Sequence, residues 1–128
     1  MVVEQEKIIA LLRQSAFFQD WEQADLETLC ANCARKVFNV GEALWTAGEP
    51  GDGAFILLSG KIERTQLVRP DGQRSEHYDS PGDLVSLSTL VQPWEHTSSG
   101  TPLERCEVLE LKREKFMEMF ERDEVSAF

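Results

Sequence analysis

Apolar residues in "EKIIALLRQSAFF" fall at Ile8, Ile9, Leu11 and Leu12, then at Phe17 and Phe18. This spacing predicts a short amphipathic helix followed by a turn. The next stretch, "DWEQADLETLCANCARKV", places Leu26, Leu29, Cys30 and Cys33 at helical spacing, with Asp25 or a neighbour as its cap. From Phe38 onward the pattern changes. The turn clusters "NVGE", "GEPGDG", "SG", "RPDG", "DSPGD", "VQP" and "GTP" recur roughly every ten residues, as in an all-β barrel or sandwich. Between them lie the strand-like runs "EALWTA", "AFILLSGKIERTQLV", "RSEHYD" and "CEVLELK". Asp-Gly in "RPDGQ" marks a hairpin, because it takes the φ values of a tight turn readily. Gly51 and Gly53 flank Asp52 and are expected at positive φ, Gly60 marks a bend or bulge, and Gly82 after Pro81 suits a type II turn. After "LELK" the helical pattern returns, with Phe116, Met119 and Phe120 on one face. Short helices, a block of antiparallel strands and a final helix make an α+β chain.

The 128 residues suit one domain with a single core. Hydrophobic residues at 41% and charged residues at 28% fit a globular protein. The net charge of −10 changes the list of partners. An acidic surface repels a phosphate backbone, so no direct nucleic acid contact by this chain is expected. No apolar run approaches the about 20 residues of a membrane span. The N-terminus "MVVEQEK" lacks the charged and apolar regions of a signal peptide. With an odd count of 3 cysteines, this predicts a cytoplasmic protein with reduced thiols.

Candidate chemistry is sparse. Cys30-Ala-Asn-Cys33 spells C-x-x-C, but inside a predicted helix rather than at the N-terminus that would activate a thiol. A zinc site needs four ligands, and only Cys106, His77 and His96 could add to the pair. Buried structural thiols are the expectation, against a metal or redox site. His77 in "RSEHYD" reads as a strand residue. No Ser–His–Asp pattern, paired-carboxylate motif or P-loop is visible, so the chain is read as a non-enzyme with no cofactor and no metal.

The stretch Pro81 to Gly100, "PGDLVSLSTLVQPWEHTSSG", has the layout of a phosphate site. A turn delivers a helix N-terminus whose N–H groups can face an anion. Yet it contains no arginine or lysine. Three further segments carry a resemblance: "FFQDWEQADLETLCANCARKVFNVGEALWTAGEPGDGAFILLSGKI", "RPDGQRSEHYDSPGD" and "PLERCEVLELKREKF". In their order and glycine turns they resemble the cyclic-nucleotide-binding domain of the catabolite activator and fumarate–nitrate regulator superfamily. The resemblance spans about Ala16 to Phe120. It implies an antiparallel double-stranded β-helix, or β-roll, of about eight strands flanked by short helices. One domain would fill residues 1–128, with N-terminal helices over 1–36, the roll over 37–111 and a C-terminal helix over 112–128. The roll serves the family as a cup for the nucleotide. Some relatives hold an iron–sulfur centre with a cysteine cluster ahead of the roll and near the N-terminus, and this chain has nothing like it before Cys30.

The resemblance also implies roles in the cassette. The family's glycine and ribose-binding glutamate fall on Ser86 and Leu87, and its phosphate-binding arginine and small hydroxyl fall on His96 and Thr97. Leu87 cannot accept a hydrogen bond, and His96, with an ordinary pKa near 6.5, is mostly neutral at pH 7. Loss of the charge-assisted fork costs about 2–4 kcal/mol and loss of the ribose acceptor about 1–2 kcal/mol. Affinity should fall roughly 10²–10⁴-fold. Two readings of the cup follow, besides true cyclic-nucleotide binding. Ser86, Ser88, Thr89, Thr97, Ser98 and Ser99 could bond a different small-molecule effector, with Trp94 as an apolar wall. Alternatively the cup is vestigial, with the hydroxyls satisfied by backbone or water. Relatives continue into a dimerising helix and a DNA-binding module, whereas this chain stops at "DEVSAF", which suggests a piece of a longer regulator. A homodimer through Phe116, Met119, Phe120 and Phe128 is one expectation, and packing of Phe116 and Phe120 on the roll is the other.

Overall fold

Strand β2 (Gly53–Ser59) is buried from Gly53 to Leu58. Both of its faces are covered, so it reads as a continuous apolar run rather than an alternation. Around it the computed structural model, which describes residues 3–67, 72–85 and 95–121, arranges three helices and seven strands. Helices α1 (Val3–Leu12) and α2 (Gln23–Asn32) precede β1 (Ala34–Phe38); β3 (Ile62–Leu67), β4 (Gln73–Tyr78), β5 (Leu84–Val85), β6 (Ser99–Pro102) and β7 (Cys106–Lys112) follow β2, and α3 (Arg113–Glu121) ends the series. Every strand pairing is antiparallel. One sheet has the order β1-β7-β2-β5 and the other β4-β3-β6. This is the α+β roll with flanking helices that the sequence predicts.

Side-chain alternation along β2 and β7 builds two cores on opposite faces of the four-stranded sheet. Ala54, Ile56, Leu58, Leu109 and Leu111 pack with Leu12, Phe18, Leu26 and Leu29 from the helical side. Phe55, Leu57, Cys106 and Val108 turn the other way, into the roll, with Leu44, Trp45, Ile62 and Val85.

Several local expectations change. Strand β1 begins at Ala34, within the stretch read as helix. Its pairing with β7 outweighs local propensity, and diagonal ion pairs support it: Arg35 to Glu107 at 2.6 Å and Lys36 to Glu110 at 2.7 Å. "EALWTA" is not a strand but contributes the isolated bridge Trp45↔Gly100. Gly53 is not at positive φ. It is needed because β7 passes so close that a Cβ would strike the Leu111 carbonyl. Gly60 and Gly82 do take positive φ, at 97° and 88°, and Asp83 N donates to Ser80 O at 3.1 Å to close the Gly82 turn.

The C-terminal helix is likewise different from a seam built on its apolar stripe. Phe116 (7% exposed) and Met119 (1%) are in the helical-side core, so neither is available to a second subunit. The reason is connectivity, since β7 runs into α3 without a loop and folds the stripe back onto the sheet. The side chain of Phe120, and Phe128, lie outside the described residues.

Helix α2 ends at Asn32, and Cys33 is its extended C-cap at φ −103° and ψ 150°, so the two cysteines do not share a helical face. Both pack against the helical-side core. Burial, with Glu27 nearby, pushes the Cys30 thiol up to about 11; burial, with Cys30 nearby, pushes Cys33 up to about 12. Few thiolates form at neutral pH. Both should react with a thiol-specific disulfide reagent at pH 8 roughly 10²-fold more slowly than an unhindered cysteine. A fast phase accounting for two thiols in the native protein would contradict this. Among the described residues, no group of three or more His, Cys, Asp or Glu is placed to hold a metal ion, and no helix is long and apolar enough to cross a membrane.

Candidate effector cup

The interior of the roll is set by register. Ile62 is fully buried in the roll-side core, so strand alternation turns Arg64 and Gln66 inward with it. Opposite them on β4 stand Tyr78, Glu76 and Arg74, and on β6 Pro102 and Gly100. Gly100 has no side chain because the Trp45 indole occupies the space where one would be. Trp45 also stacks with Phe55 (5.9 Å between ring centres, 17°) and with His96 (5.9 Å, 28°).

The segment carrying His96 is held as a rim against residues 44–50. Leu44 N donates to Gly100 O (2.8 Å), Gly100 N to Trp45 O (3.0 Å), Gly48 N to His96 O (2.8 Å) and His96 N to Glu49 O (2.8 Å). Ser98 is 6% exposed, and its hydroxyl accepts from Trp45 Nε1 at 3.2 Å. Ser99 Oγ accepts from the Ala47 N–H at 2.9 Å. These two hydroxyls accept from the roll itself, and each keeps an O–H to donate. Thr97 is exposed. Ser86, Leu87, Ser88, Thr89 and Trp94 lie outside the described residues.

His96 lines a cavity of about 120 Å³ together with Trp45, Phe55, Glu49, Asp52 and Glu110. The carboxylates come from two places in the chain, Glu49 and Asp52 from the turn "GEPGDG" and Glu110 from β7. Lys112 approaches Asp52 at 3.5 Å, and Lys36 approaches Glu110 at 2.7 Å. Asp52 also accepts from the Arg113 N–H through its carbonyl, at the start of α3. An anion entering beside His96 meets carboxylates, the opposite of a phosphate cradle.

Burial lowers the His96 pKa, and the neighbouring Asp52 and Glu49 oppose that shift without reversing it. The unfolded chain therefore takes up the His96 proton first as pH falls. The contribution of neutral His96 to stability is complete above about pH 6.5 and is lost as pH falls through the unfolded value toward the lower folded one. An NMR titration of the imidazole should give a midpoint below about 6.5. A midpoint above that value would mean that the carboxylates govern the ring.

By register Arg64 and Glu76 are on the roll-facing side of the hairpin, Arg64 partly buried and Glu76 exposed, and the cassette pattern does not reveal them. The signal is in the alternation of "KIERTQL": once Ile62 is inward, so is Arg64. His77, by contrast, is exposed on the outer face, 3.2 Å from Glu63.

Comparison with known proteins agrees with this architecture. The chain is 26% identical over 105 residues to the CRP-like cAMP-activated global transcriptional regulator of Mycobacterium tuberculosis, an alignment covering 81% of this chain and 46% of that protein. It superimposes on the catabolite activator protein of Thermus thermophilus with a TM-score of 0.75 at 21% identity, covering 84% of this chain and 51% of the other. It also superimposes on the N-terminal domain of a transcriptional regulator from Streptomyces coelicolor, with a TM-score of 0.76 at 22% identity, covering 91% and 82%. The chain spans about half the length of the curated relatives it matches. The sequence model described as the cyclic nucleotide-binding domain matches residues 35–123, and the chain belongs to that family.

Proposed function

We propose that the chain is the effector-sensing domain of a cytoplasmic Crp/Fnr-type transcriptional regulator, and that its cup binds cyclic AMP and cyclic GMP only weakly. The observation that carries this reading is the wall around His96. The position that the resemblance assigns to a phosphate-binding arginine holds an imidazole kept neutral by burial, among Glu49, Asp52 and Glu110. Leu87 at the ribose-binding position points the same way. The chain's own role is non-enzymatic sensing, and its charge of −10 leaves DNA contact to other parts of the regulator.

Isothermal titration tests this. No saturable binding of cyclic AMP or cyclic GMP is expected below roughly 100 μM. The variant Leu87→Glu with His96→Arg and Ser86→Gly should gain affinity, since it restores the ribose acceptor and the fork. Micromolar binding by the natural sequence would overturn the proposal.

One observation favours a second reading, an interaction module with a vestigial pocket. Trp45 and Phe55 stack inside the roll, and the cavity beside them, about 120 Å³, is small for a nucleotide. A thermal-shift panel of metabolites separates the readings. A saturable rise in melting temperature supports the sensor, and a flat panel together with a dimer in ultracentrifugation supports the module.

A further inference from the structure

The inner face of the second sheet carries charge where a closed core calls for apolar side chains. Arg64 turns into the roll beside Ile62, and its side chain is only 23% exposed. One of its two cross-strand neighbours is Gly100, whose side-chain place is filled by the Trp45 indole, which carries no acceptor for the guanidinium. The other is Glu76, whose Oε1 lies 3.6 Å from Nη1. That is too long for the close, forked contact that saturates an arginine–carboxylate pair. Glu76 is shared, because the Tyr78 hydroxyl donates to its Oε2 at 3.0 Å. Gln66 accepts from Nη2 at 3.4 Å, also a long contact. Arg74, opposite Gln66 and exposed, places a second positive charge at the diagonal position on the same side of the hairpin. The His96 side of the cup is lined by Glu49, Asp52 and Glu110, and the hairpin side holds these two arginines with Glu76.

We propose that Arg64 is the anion-binding residue of this cup, and that the effector is a small organic anion whose carboxylate or phosphate is forked by Arg64 from the hairpin sheet. This rests on reading the cup as an effector site. Ligand binding exchanges the loose Glu76 contact for a close bidentate one, which is the interaction a guanidinium makes best. A cross-strand pair kept only for the hairpin would serve as well on the outer face, where Glu63 and His77 already form one.

The test is isothermal titration of the whole chain with three probes: inorganic phosphate, cyclic AMP and succinate. At least one should bind saturably, and which one binds distinguishes a phosphate from a carboxylate ligand. Arg64→Gln should weaken that binding at least about 10-fold, and Arg64→Lys should retain part of it. Glu76→Gln should tighten binding about 3–10-fold, because it removes the carboxylate that competes for the guanidinium, and a purely structural pair predicts no such gain. Lys115→Gln, an exposed change on α3 beside Glu118, should leave affinity unchanged. Circular dichroism of each variant confirms that the fold is kept. A probe bound equally by the natural sequence and by Arg64→Gln overturns the role of Arg64 while leaving the cup as an effector site. Failure of all three probes to bind the natural sequence overturns the proposal, and a flat metabolite panel beside it overturns the effector reading as well.

Discussion

Trp45→Ala is expected to cost about 3–5 kcal/mol of unfolding free energy, the range for removing a large buried aromatic. The indole is 4% exposed and packs on Phe55, His96 and Gly100. Its removal also leaves the Ser98 hydroxyl without its indole donor in a buried site. Few neighbours can collapse into the space, because Gly100 has no side chain to move and β2 is fixed on both sides. Urea denaturation measures the loss, and Trp45→Phe should recover part of it. Added indole should raise the midpoint of Trp45→Ala by occupying the vacated volume, and should leave the natural sequence unaffected. A cost below about 1 kcal/mol would show that Trp45 does not fill the roll.

Gly60→Ala should be as damaging for a different reason. Gly60 joins β2 to β3, the point where the chain leaves one sheet for the other, and its φ is 97°. An L side chain pays about 1–2 kcal/mol for the left-handed region alone. The added Cβ would also strike the Arg105 carbonyl, and Cys106 Cα would lie 2.8 Å away. Those atoms belong to backbone at the start of β7 and cannot step aside as a side chain can. A loss of about 3 kcal/mol or more is expected, or failure to accumulate as folded protein. A variant within about 1 kcal/mol of the natural sequence would mean that the connection can be rebuilt.

Where the sequence was readable, the reason is local. Ile8, Ile9, Leu11 and Leu12 crowd one side of a helix, and "RPDGQ" announces a hairpin between "RTQLV" and "RSEHY". Gly82 after Pro81 foretells the turn that is found. What was not readable depends on distant partners. Strand β1 exists because β7 pairs with it, and Arg35 and Lys36 meet Glu107 and Glu110 only once both strands are placed. The wall around His96 joins Glu49 and Asp52 of one turn to Glu110 of β7, about sixty residues away in the chain. Ser98 and Ser99 in "HTSSG" also accept hydrogen bonds from Trp45 and Ala47, about fifty residues earlier, which no local pattern signals. Phe116 and Met119 form a stripe that suits an interface equally well until β7 aims it at the sheet.

Asp52 has two attachments that are far apart in kind. The residue borders the cavity beside His96, and its carbonyl accepts the Arg113 N–H, the first of α3. The wall of the cup and the origin of the terminal helix thus share a single residue. In mechanical terms they have fewer independent coordinates than their separation along the chain suggests. One hydrogen bond ties that wall to α3, and the packing of Phe116 and Met119 on the sheet holds the helix from its other side.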